Sequence, residues 1–217
     1  MIRMSGLAAI LGGVVWAMCS VKLMFVQWGE PGSYLYENYE FYNRLLALSL
    51  PFLMVGSVGL HASQERRYGW PGRLGFGLTF AGFALMFVGA VGEFWLFTDQ
   101  PYAEGNGREV SWTVFLLGTL TLAGGSAVFG LATLKAGMLP RPGAALLMIW
   151  FPAGILSGIL SGILADSTGL LSADLAFSLV MAVTLGTGWV LLGFALWSGG
   201  RDAARRPTPA ESMEVET

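Results

Sequence analysis

In a chain of 217 residues with one cysteine and one histidine, the side chains able to do chemistry are few and widely separated. Within or at the edges of its apolar stretches stand Cys19, Lys22, His61 and Glu93. Lys22 sits in "VVWAMCSVKLMFVQW", which is otherwise nearly all apolar. A cation in hydrocarbon costs roughly 2.5–3.5 kcal/mol on insertion scales, so it wants an opposite charge at matching depth. Counted by helical rise, Lys22 falls about 7–8 Å, and Glu93 about 6 Å, inside the same membrane surface. The spacing points to an intramembrane Lys22–Glu93 ion pair if their helices touch. The same two groups would serve a small transporter or channel as a proton or cation relay. Snorkelling by Lys22 and protonation of Glu93 are the plainer alternatives.

Other chemistries fall away. One cysteine excludes an internal disulfide and a CxxC redox pair. One histidine excludes a bis-histidine haem, and no spacing gathers the ligands a metal needs, so neither metal nor cofactor is expected. His61 reads as an interfacial side chain rather than a catalytic one. The serines of "LSGILSG", Ser157 and Ser161, fall roughly 15–20 Å from His61 along the membrane normal, too far for a nucleophile and its base. No basic run suits nucleic acid.

The elements that must position these residues follow from composition. Hydrophobic residues make up 54% and charged residues 12%, the latter about half the usual quarter. The apolar residues form six blocks, at about 6–26, 45–62, 74–97, 112–134, 144–165 and 176–197, each near the length that crosses hydrocarbon as a helix. Open sheets cannot lie in lipid, and barrel alternation is lacking. The expectation is an all-α polytopic membrane protein: one six-helix domain over 1–200, then a polar cytoplasmic tail, 201–217, expected to be disordered. The basic-then-apolar start also resembles a signal peptide, but no convincing cleavage site follows it.

Arg3, Arg66, Arg67, Arg73, Lys135, Arg141, Arg201, Arg205 and Arg206 flank one side of the spans, whereas the other connections are acidic, offset only by Arg44 and Arg108. The positive-inside rule then places both termini in the cytoplasm, with the protein in the cell membrane. Abundant alanine, and arginine well above lysine, suggest a prokaryotic genome.

The even-numbered spans end alike, at Gly59, Gly130 and Gly193 before basic residues and proline. This pattern fits three helical hairpins in parallel repeat, or simply a shared preference at helix ends. The fifth span, "AGILSGILSGIL", lines up Gly154, Gly158 and Gly162 with Ser157 and Ser161 beside them, a stripe that lets a backbone approach closely. Gly82, Gly89, Gly124, Gly125, Gly186 and Gly193 offer receiving surfaces. Pro51 and Pro152 stand inside spans and are candidate kinks. Between the first two spans, Tyr34, Tyr36, Tyr39 and Tyr42 alternate with Glu37 and Glu40. That connection reads as an aromatic belt, or as an acidic cap that gates a ligand or docks a partner. With no catalytic constellation, an intramembrane enzyme is the least expected function. An accessory or lipid-like-ligand-binding role comes first and transport second. The expected partners are membrane lipids, with another membrane protein or a second copy of this chain after them.

Overall fold

The computed structural model describes the backbone of residues 2–25, 33–168 and 173–205, and the side chains of 2–23, 33–160 and 179–199. Six helices follow one another: α1 (Ile2–Phe25), α2 (Tyr34–Gln64), α3 (Gly69–Val91), α4 (Gly107–Ala136), α5 (Arg141–Thr168) and α6 (Ala173–Arg205). A π turn, Gly92–Leu96, prolongs α3, and no strand occurs among the described residues. All six helices are long and apolar enough to cross a membrane. Helices satisfy their own backbone groups, which is what hydrocarbon demands. This is an all-α polytopic membrane fold.

The helix ends obey local chemistry. Ser33 caps α2 by accepting from Tyr36 N at 3.3 Å, and Asn106 caps α4 by accepting from Glu109 N at 3.0 Å. Side-chain oxygens at these positions satisfy the first unpaired N–H groups of a helix. Gly137, at φ 65°, ends α4 in the left-handed conformation and returns its N–H to Thr133 O, a geometry that favours glycine.

Two boundaries differ from the sequence expectation. The connection holding Tyr34 to Tyr42 is not a loop but the opening turns of α2. Once Ser33 supplies a cap, the polar side chains support the helix, with Asn38 and Asn43 donating back to the carbonyls of Tyr34 and Tyr39. At the other end, α6 runs on to Arg205, into the stretch expected to be disordered. Residues 206–217 lie outside the described ones.

The helices stand in a ring in chain order, each packed on the next, with α6 closing back onto α1 and also touching α2. Two seams hold the ring. Along α3 and α4, a Cβ at Gly75, Gly82 or Gly89 would stand 2.5 Å from a backbone nitrogen of Phe129, Leu122 or Phe115. Along α1 and α6, a Cβ at Gly6 or Gly13 would stand 2.7 Å from the carbonyl oxygens of Gly193 and Gly186. Lipid supplies no hydrophobic drive between helices, so such close backbone contact is the main source of association. A Cβ at Gly124, grouped with the receiving glycines, would have nothing within 4 Å, so it takes no part. Leu50, Leu53, Phe83, Leu122, Phe129, Trp189 and Leu192 fill the interior without exposure.

The glycines that mark the repeat have unlike surroundings. Gly59 meets Ser5 of the preceding helix, Gly130 meets Ala144 of the following one, and Gly193 meets Gly6. On α5, Gly154 is buried and Gly158 half-buried, while Ser157 donates back to Gly154 O at 2.8 Å, as membrane serines commonly do. The placement of the side chains at Ser161 and Gly162 lies outside the described residues.

Candidate functional site

Lys22 and Glu93 are not brought together. Lys22 is exposed on α1, Glu93 is 3% exposed in the π turn, and no ion pair joins them. The reason is the ring: α1 packs on α2 and α6, and α2 stands between α1 and α3. Matching depth was not sufficient without neighbouring helices.

Glu93 has other company. The π turn closes with Phe97 N donating to Gly92 O at 2.9 Å, a feature frequent at functional positions. Glu93 accepts a hydrogen bond from the Tyr102 hydroxyl. Burial, together with the hydrogen bond and charge of Glu93, pushes the Tyr102 phenol well above its ordinary range, and the neighbouring Arg108 only partly offsets this. Ionising that phenol beside a carboxylate would place two like charges together.

Arg108, 5% exposed, is the centre of the cluster. Its Nη1 donates to Tyr36 Oη at 3.1 Å, to Thr98 O at 2.9 Å and to Gln100 O at 3.2 Å. Its guanidinium carbon lies 4.6 Å from the Tyr102 ring centroid and 6.0 Å from that of Tyr36. Beside it, Arg44 Nη2 pairs with Glu40 at 3.2 Å and Nε donates to Phe94 O at 2.8 Å. Thr98 donates to the other Glu40 oxygen at 2.6 Å. These groups ring a pocket of about 490 Å³ lined by Tyr36, Glu40, Arg44, Thr98 and Arg108 among others.

The tyrosines and acids of early α2 therefore divide. Tyr36 and Glu40 enter the cluster, and Tyr39 packs edge-on against Phe94 at 6.0 Å. Tyr42 is half-buried, whereas Tyr34 and Glu37 are exposed. Glu37 and Glu40 do not form a joint acidic site, because Glu40 is engaged by Arg44 and Thr98. Sequence reasoning missed Arg108, counting it only as an offset to nearby acids. A signal was present: a cation in the first turn of a helix opposes the helix dipole, so its placement there needs another cause.

A second cavity, about 320 Å³, is lined by residues from all six helices: Trp16, Ser20 and Leu23; Asn43 and Leu46; Met86; Phe115 and Thr119; Trp150; Met181 and Ala182. Among the described residues that line it, none carries a charge. Two tryptophans line it, and their indole N–H groups have different fates. The Trp150 N–H donates to Ser126 Oγ at 2.6 Å. The Trp16 N–H is buried with no acceptor, on a residue only 8% exposed. A buried donor without a partner costs about 1–3 kcal/mol.

At the arginine-rich end, His61 shares a hydrogen bond with the Tyr68 hydroxyl and stacks on Phe76 at 4.2 Å. Burial first, and then Glu65, push Tyr68 up to about 12. Cys19 is buried. Pro51 and Pro152 lie inside α2 and α5, and neither lines a cavity described above. The chain matches no family model, no curated protein and no solved structure.

Proposed function

We propose that this integral membrane protein is a binding module for a small, largely apolar amphiphile of the lipid class, acting as an accessory component rather than as a catalyst. The observation that carries the reading is the cavity at the centre of the ring, lined in part by Trp16, whose buried indole N–H has no acceptor. Its volume falls within the range of small-molecule sites, and its mix of apolar walls with a few polar groups, Ser20, Asn43 and Thr119, suits one polar contact on an apolar body. The arginine-rich connections support a cell-membrane location with both termini cytoplasmic. The cavity then lies in the outer half of the bundle. Transport is less well supported, since Leu53, Phe83 and Trp189 pack the interior without exposure.

The test is native purification in mild detergent, followed by mass spectrometry of bound small molecules, for the wild type beside Ala182→Phe. Ala182 is 2% exposed and lines the cavity, so a phenyl ring there occupies the ligand's volume. The expected result is a stoichiometric amphiphile in the wild type and its loss in the variant. Identical lipid content in both overturns the reading.

A further inference from the structure

The cluster around Arg108 carries a second assignment, independent of the cavity reading. A guanidinium has two edges with paired donors, and the edge formed by Nε and Nη2 is the one that takes a carboxylate or phosphate through two parallel hydrogen bonds. In Arg108 the structure spends Nη1 on Tyr36, Thr98 and Gln100, while Nε and Nη2 are both buried and without an acceptor. Tyr102 is both an electrostatic and a side-chain hydrogen-bonding neighbour of the guanidinium, yet Nε and Nη2 are left without a well-formed acceptor. No ion pair is formed by Arg108 among the described residues. Buried Glu93 is an electrostatic neighbour of Arg108 but makes no direct ion pair with it, whereas buried charges are ordinarily paired in contact.

Arg108 is held for this edge. Three acceptors fix Nη1, the guanidinium carbon lies over the rings of Tyr102 and Tyr36, and the side chain lines a pocket of about 490 Å³. The other arginine of that pocket is already engaged, Arg44 being paired with Glu40 and bonded to Phe94 O. Glu40 in turn is paired with Arg44 and accepts a hydrogen bond from Thr98, which leaves exposed Asp99 as the unpaired acid on the pocket's rim.

We propose that the Nε–Nη2 edge of Arg108 binds an oxyanion offering two oxygens, a phosphate monoester or a carboxylate, at the acidic end of the bundle. The oxyanion comes either from a lipid headgroup or from a free solute, and two arms separate these sources. In the first, wild-type protein in an uncharged detergent is titrated calorimetrically with inorganic phosphate at constant ionic strength. In the second, protein reconstituted in phosphatidylcholine vesicles containing a minority of phosphatidic acid is released for native mass spectrometry.

Saturable binding in the first arm identifies a free anion. Selective retention of phosphatidic acid in the second, without phosphate binding in the first, identifies a headgroup. In either arm, Arg108→Lys, which keeps the charge but loses the fork, weakens binding by about tenfold, whereas Lys135→Gln at the opposite end leaves it unchanged. Absence of binding in both wild-type arms overturns the proposal and decides the matter even if the lysine variant fails to fold. Equal binding by a folded Arg108→Lys also overturns it. Loss of the cavity amphiphile in Ala182→Phe with phosphate binding intact would separate this site from the cavity.

Discussion

Along α3 and α4, small residues at every seventh position keep two backbones in contact from Gly75 through Gly82 to Gly89. Along α1 and α6 the same device begins, with Gly6 against Gly193 and Gly13 against Gly186. There it stops. The next position of that series on α1 is Ser20, which lines the central cavity, and Trp16 stands just before it. One seam continues toward the acidic end while the other gives way to a serine, an indole and the side chains of Met181 and Ala182. The difference shows how a bundle acquires a cavity: close approach is a residue-by-residue privilege of glycine, and where the series lapses the helices lose that approach.

Breaking the continuous seam has the largest effect. In Gly82→Val the new Cβ meets Leu122 backbone rather than a movable side chain, so thermal unfolding in detergent should show a loss of about 3 kcal/mol. The matched control is Gly124→Val, which has nothing within 4 Å and should change stability by about 0.5 kcal/mol or less. Equal losses in both would remove the seam from the account. A smaller effect belongs to the polar rim. Tyr102→Phe strips the buried Glu93 carboxylate of its hydrogen-bond donor, and should lower stability by about 1–3 kcal/mol. An unchanged midpoint would mean that water satisfies Glu93 equally well.

Much of the fold was legible because bilayer physics is strict. Apolar length set the number of helices, and without the alternation of barrel strands no other element fits lipid. The start of α2 was not legible from hydropathy, because Tyr34 to Arg44 is polar and helical at once, and only the Ser33 cap marks the boundary. The site was read less well. Lys22 and Glu93 were matched by depth, yet which helices are neighbours depends on seams such as Gly13 with Gly186, and that register is a property of two helices together. Glu93 is buried in the π turn. Its actual partner, Tyr102, lies in the connection just beyond the span, where depth along a helix says nothing. The α5 stripe drew attention through its unbroken four-residue period, whereas the working seams use a seven-residue period spread over separate helices.

The most direct measurement follows the indole N–H resonances of protein labelled with nitrogen-15 tryptophan, with Trp16 assigned through Trp16→Phe. Among the described residues, two buried indoles lack an acceptor: Trp16, which lines the cavity, and Trp189, which does not. On returning a native lipid extract to stripped protein, the account predicts a saturable downfield shift at Trp16 with Trp189 unmoved. A Trp16 resonance indifferent to lipid, or one that shifts only in step with Trp189, would contradict ligand binding in the central cavity.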